Sequence, residues 1–187
     1  THLDAPVHWV TGRDGLDVSQ APLSTLVAPA VVIDMTAEVA KDADFLLEHS
    51  HIRAWEERHG ALPDGGWLLY RTGWAARGDD AAAFANADEN GPHTPGVSPD
   101  CARWLAEESP IAGFGVETVG TDAGAAHSFE PAFPCHSALM GANKWGLTSL
   151  RNLDRLPATG AVLIVCPLPI VGGSGSPARV LALVERA

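Results

Sequence analysis

Five short runs of apolar and β-branched residues, each closed off by turn formers, limit what this chain can fold into more than any other feature. They lie at 29–36, 67–72, 111–118, 160–166 and 179–184. Runs of this length and composition between Gly, Pro, Asp and Asn read as buried strands. Two segments between them carry a helical pattern instead. Residues 50–59 place Ile52 and Trp55 among Glu56, Glu57 and Arg58 and stop at Gly60, as a helix with a glycine C-cap does. Ser98 is placed to cap a second helix, with Pro99 at its first position and Cys101, Trp104 and Leu105 at helical spacing until Ser109 and Pro110 interrupt. Strands mixed with helices predict an α/β or α+β domain. The stretch 77–99, rich in Ala, Asp, Asn, Gly and Pro, reads as a surface excursion that could border a pocket. No repeat or low-complexity linker divides the 187 residues, so 1–187 is expected to form a single domain.

Charge narrows the partners. Twelve basic and 23 acidic residues give a formal net charge of −11, which opposes binding to phosphate backbones and anionic lipid surfaces. No nucleic-acid or membrane partner is expected, and no run is apolar enough to span a bilayer. Cys101, Cys135 and Cys166 are odd in number and form no CxxC pair, which argues against a disulfide framework and for a reducing, cytoplasmic location.

Chemistry concentrates at the front of the chain. Thr1-His2-Leu3-Asp4-Ala5-Pro6-Val7-His8-Trp9 holds two imidazoles and a carboxylate within seven residues. In an extended segment side chains alternate faces, so His2, Asp4 and His8 are expected on one side, where they could serve one divalent ion. Imidazole with carboxylate suits Zn²⁺ or Mn²⁺. The competing expectation is an exposed polar segment whose histidines have no role.

A second concentration, Glu117, Thr118, Asp122, His127 and His136, follows the run 111–118, at the strand end where α/β folds carry binding groups. Thr121 and Asp122 also suit a plain turn, and His136 also suits a core or loop position. Gly172-Gly-Ser-Gly-Ser-Pro177 lacks the lysine of a phosphate loop and reads as a tight turn between strands. Trp9, Trp74 and Phe133 are candidates to wall an aromatic substrate, although tryptophans also serve as core.

Thr-His-Leu-Asp-Ala-Pro-Val-His at 1–8 resembles the latter part of the HxGTHxDxPxH signature of the cyclase family of metal-dependent hydrolases, which includes kynurenine formamidases and isatin hydrolases. Residues 117–124, 133–136, 146–157 and 172–180 are similar to its isatin-hydrolase-like branch. The resemblance implies a compact swivelling β/β/α domain, a mixed sheet with flanking helices. It also implies a homodimer or homotetramer. By that resemblance His2 and Asp4 would be ligands of one Mn or Zn ion, His8 the general base, and His136 a catalytic or pocket residue touching substrate or water. The signature's first histidine would precede His2 by four residues, so the N-terminal segment is expected to lie outside 1–187. Formamidase-like members carry a glutamate twelve residues beyond the histidine matching His136, where this chain has Thr148, so one metal is expected instead of two.

The function implied is hydrolysis of a cyclic amide, imide or lactone, or of an aryl formamide, by metal-activated water, with a small, aromatic substrate. Two alternatives come from other classes. One is a non-catalytic small-molecule-binding relative, and the other a hydrolase whose nucleophile is Thr1, activated by its own amine.

Overall fold

The computed structural model describes residues 1–185. Among them the strands β1 (His2–Asp4), β2 (Val27–Asp34), β3 (Trp67–Arg71), β4 (Gly113–Val116), β5 (Trp145–Thr148), β6 (Ala161–Pro167) and β7 (Gly175–Leu183) close into a barrel in the order β1-β7-β6-β2-β3-β4-β5. The sheet is mixed: β2, β3, β4 and β5 run parallel to one another, while β6 pairs antiparallel with β2 and β7, and β1 antiparallel with β7 and β5. All five expected strands are present, and the α/β class with a mixed sheet and flanking helices is what the chain adopts.

The two sides of the sheet separate because side chains alternate along each strand. From β2 and β3, Val32, Trp67 and Leu69 join Leu3, Leu147 and Leu163 inside the barrel. Ile33, Leu68 and Tyr70 face the other way, with Phe114, onto the helices. β4 alternates Phe114 with glycines, and a Cβ on Gly113 would lie 2.3 Å from the Trp67 ring. The large indole therefore fills interior space that a side chain on β4 would otherwise occupy.

Three helices cover the parallel strands. They are α1 (His49–His59), α2 (Pro99–Glu107) and α3 (Pro134–Gly141). Helix α1 ends at Gly60 with φ +91°, and Ser98 caps α2 through the Cys101 N–H, both as the sequence predicts. Ile52 and Trp55 of α1 and Cys101 and Leu105 of α2 are buried against the sheet. The Trp55 indole N–H donates to the Val32 carbonyl across that interface at 2.9 Å.

The excursion at 77–99 has more regular structure than its composition suggests. It forms a helical turn at Ala81–Ala85 and a hairpin of Ala87–Asp88 with Gly91–Pro92, and Gly96–Val97 pairs parallel with Leu46–Leu47. It packs against the segment after Asp122 so closely that a Cβ on Gly124 would lie 2.1 Å from the Pro92 carbonyl oxygen. The glycine-rich connection between β6 and β7 is a wider loop than the expected tight turn, spanning 168–174. Pro167 and Pro169 lack the N–H groups that would extend the ladder. Cys101 and Cys135 are free and buried, and Cys166 is free and exposed. No helix among the described residues is long and apolar enough to cross a membrane.

Candidate active site

Strand β1 supplies the first part of the site. Its central residue Leu3 is fully buried in the barrel, so His2 and Asp4, one position to either side, share the opposite face. Asp4 is 1% exposed, and its cross-strand partners on both sides are glycines, Gly175 on β7 and Gly146 on β5. A Cβ on Gly175 would lie 3.3 Å from Asp4 Oδ1 and 3.9 Å from His8 Nδ1, and one on Gly146 would lie 3.4 Å from the Asp4 Cβ. Space around the carboxylate exists because neither neighbour carries a side chain.

His8 reaches the site through a turn and not along the extended strand expected from its spacing. The strand ends at Asp4, and Pro6–His8 form a 3₁₀ turn. Pro6, with its fixed φ and missing N–H, suits the first position of such a turn. The turn brings His8 Nδ1 to 3.6 Å from Asp4 Oδ1.

Asp4 Oδ1 is buried without a hydrogen-bond partner, 3.4 Å from His2 Nε2 and 3.6 Å from His8 Nδ1. Leaving a buried carboxylate oxygen unsatisfied costs roughly 1–3 kcal/mol or more. Ligand atoms of Asp4, His8 and His136 also lie within 4.8 Å of one another. Two ligand atoms on a tetrahedral ion with bonds of about 2.1 Å are separated by about 3.4 Å, so imidazole and carboxylate at these distances fit a divalent cation. The geometric cluster differs from the ligand pair implied by the sequence: it gathers His8 and His136 about Asp4, while the His2 ring nitrogens lie 2.9 and 3.0 Å from the Thr148 hydroxyl. Thr148 is fully buried on β5 directly opposite His2.

His136 lies in the first turn of α3, where neither strand nor helix periodicity marks the helix in sequence. Asp122 holds it there. Asp122 Oδ1 accepts from the Cys135 N–H at 2.7 Å, and Oδ2 accepts from the His136 N–H at 3.0 Å and makes a short contact with the ring Nδ1. The plain-turn expectation for Asp122 therefore gives way to a contact spanning 14 residues. Phe133, immediately before the helix, has φ +51°, an uncommon left-handed conformation for a bulky residue. Its ring packs at 5.4 Å on Trp9, which lies 5.0 Å from the His136 ring, and His8 lies 5.6 Å from His136. The result is an aromatic wall beside the His8 and His136 imidazoles.

Other sequence candidates sit elsewhere. Trp74 is 1% exposed, donates through its indole N–H to the Phe84 carbonyl and lies beneath the Arg77 guanidinium. Glu117 is buried and its Oε2 accepts from the Thr72 and Gly73 N–H groups and the Thr72 hydroxyl, which ties the ends of β3 and β4 together. Thr118 donates to the Gly120 carbonyl, and His127 is exposed on the 3₁₀ turn Gly124–Ser128. The Thr1 hydroxyl donates to the Ser149 carbonyl at 2.7 Å. Burial, followed by the Asp122 charge, pushes the Cys135 thiol well above its ordinary pKa, so it stays protonated and is no nucleophile. A broad groove along β7 and residues 150–156 is lined by Leu153, Leu156 and Leu181 with Arg151, Arg155 and Arg179, and holds none of the site residues.

Comparison with known proteins gives the family and the fold. The family model described as putative cyclase matches residues 1–123. Isatin hydrolase of Roseibium aggregatum is 50% identical over 189 residues, which span 100% of this chain and 72% of the relative. Kynurenine formamidase of Salinibacter ruber is 30% identical over 182 residues, 96% of this chain and 72% of that protein. Among solved structures, isatin hydrolase A from Ralstonia solanacearum superposes with a TM-score of 0.96 at 52% identity, over 99% of this chain and 71% of that one. An isatin hydrolase bound to the product analogue thioisatinate gives 0.96 at 49% identity, over 100% and 71%.

Proposed function

The chain belongs to the cyclase family and is a hydrolase, and from that premise we propose that it opens a cyclic amide of the isatin type with water, using one Mn²⁺ or Zn²⁺. The observation that carries this reading is the buried, unpartnered Asp4 Oδ1 at 3.4 Å from His2 Nε2 and 3.6 Å from His8 Nδ1. The 50% identity to an isatin hydrolase supports the substrate class.

In this reading Asp4 and His2 would hold the cation. When bound it would act as a Lewis acid on the substrate carbonyl and lower the pKa of water from 15.7 to about 7. Thr148, where formamidase-like members carry a glutamate, engages His2 through its hydroxyl and adds no carboxylate, which favours a single metal. His8 takes the proton from the attacking water as its oxygen bonds to the carbonyl carbon. It returns that proton to the departing ring nitrogen as the C–N bond breaks. With an unperturbed pKa of about 6.5, imidazole suits both halves of that exchange near neutrality. Trp9 and Phe133 offer flat apolar surface to an aromatic ring, and His136 lines the same space and touches substrate or water. Trp74 remains a substrate contact only if Arg77 leaves its face.

The test is ring opening of isatin, followed spectroscopically with and without added Mn²⁺ or Zn²⁺. His8→Ala is expected to keep the metal and lower kcat by ~10²–10⁴. His2→Ala is expected to lose the metal. Loss of metal from His8→Ala with retention in His2→Ala would instead favour Asp4, His8 and His136 as the ligand set. We also propose a homodimer or homotetramer located in the cytoplasm. Exposed Leu181, Leu183 and Val184 on and after β7 support association, and light scattering checks it.

A further inference from the structure

We infer that Asp122 is the positioning residue of the site, fixing the tautomer and the direction of the His136 ring so that Nε2 meets the reacting groups as a hydrogen-bond acceptor. The inference rests on the preceding reading for its kinetic consequence, but its structural content stands separately.

The carboxylate is 5% exposed and its bonds go to the start of α3. Oδ1 takes the Cys135 N–H, and Oδ2 takes the His136 N–H and faces the ring Nδ1. An ionised carboxylate is only an acceptor, so the ring nitrogen against it must carry hydrogen. In the neutral imidazole that leaves the lone pair on Nε2. Rotating the ring half a turn would set a carbon against Oδ2 and forfeit a charge-assisted bond, and Trp9 packs at 5.0 Å against the ring. The Thr121 hydroxyl, 3.4 Å from Nδ1, is too distant to compete. Asp122 thus has two linked functions. It satisfies two orphan N–H groups in the first turn of α3, and it orients the one side chain of that turn that joins Asp4 and His8.

An orienting carboxylate behind a working imidazole acts through geometry and not through its own proton. An acceptor at Nε2 can take a hydrogen bond from water or from a substrate N–H, whereas the opposite tautomer would present a donor there. Asp122→Asn bears on both functions. Its amide oxygen can keep the Cys135 N–H, but its NH₂ would forfeit the His136 N–H bond and, facing Nδ1, demand the lone pair on that side, which inverts the tautomer.

The experiment is ¹⁵N NMR of the histidine ring nitrogens in the zinc-loaded protein, joined to steady-state kinetics of Asp122→Asn. In the unmutated protein His136 is expected with hydrogen on Nδ1 and none on Nε2, and this measurement requires no variant to fold. In Asp122→Asn the pattern is expected to reverse, with kcat down by ~10²–10⁴ and KM little changed, as expected for a group oriented for the transition state. Hydrogen on Nε2 alone in the unmutated protein, or an Asp122→Asn variant with undiminished kcat, overturns the inference. Finding the Nδ1–H tautomer in a protein that opens no cyclic amide would reject the functional reading and leave the orienting role of Asp122 standing.

Discussion

Asp4 sits between two glycines because a carboxylate that is to be buried and still shared with outside groups needs room that ordinary strand neighbours would fill. His2, Asp4 and Trp9 were legible as chemistry because residue type and close spacing are written along the chain. Asp122 was readable as a candidate binding group or as a turn former, but not as the holder of His136, since its partners at 135 and 136 lie beyond any local pattern. The buried thiols carry a prediction at this scale. Burial pushes Cys101 up to about 12, and Cys135 and Tyr70 also rise, chiefly through burial. Each therefore binds its proton more tightly when folded. The stability these groups contribute is complete below their ordinary values and declines as pH rises past them. Burial lowers Lys144 to about 8, where its ammonium donates to the Leu105 and Ser109 carbonyls. Its contribution has the opposite sign, present above the ordinary lysine value and lost as pH falls through about 8. Three raised acids outweigh one lowered base, so the urea midpoint is expected to fall from about pH 9 upward, and to fall less steeply in Cys101→Ala.

The hairpin at 87–92 carries a charge cluster at its base. His93 Nδ1 lies 2.7 Å from Asp44 Oδ2 and its Nε2 3.2 Å from Asp88 Oδ1, and bonding to those two carboxylates raises its pKa. A raised histidine contributes fully below its ordinary value of about 6.5, and the contribution is lost as pH rises through the folded value. Hydrogen-exchange protection of the hairpin amides is therefore expected to fall as pH rises past about 6.5, with the barrel strands unaffected. Unchanged protection there would show that packing against 123–127 holds the hairpin without His93. At the same scale, α1, α2 and five strands could be read because apolar runs between turn formers, helical spacing and capping are local signals. Strands β1 and β5 are too short for a period, and α3 is apolar nearly all round, burying Pro134, Cys135, Leu139 and Met140, so it presents no amphipathic stripe.

For the whole molecule, the site is assembled from β1, the 3₁₀ turn after it, the loop after β4 and the start of α3, so it exists only in the folded chain. Anything that binds only the folded state stabilises it, by about 2.7 kcal/mol at a concentration 100 times Kd. For a domain of this size that corresponds to roughly 5–10 °C in Tm. Adding Mn²⁺ or Zn²⁺ to chelated protein is expected to raise Tm by that amount, and Asp4→Asn to abolish the rise. An equal rise in Asp4→Asn would place the stabilising ion elsewhere.

What the sequence by itself determined was the set of parts: strands from short apolar, β-branched runs between turn formers, two helices from spacing and caps, and a metal-suited cluster at residues 2–8 from residue chemistry. Only the tertiary structure decided that the mixed sheet closes into a barrel, that glycines on β5 and β7 flank Asp4, and that Asp122 grips His136. Local patterns reflect the preferences of neighbouring residues. These pairings bring together segments far apart in the chain, and which segments meet is settled by packing two apolar faces at once, which no window of sequence contains.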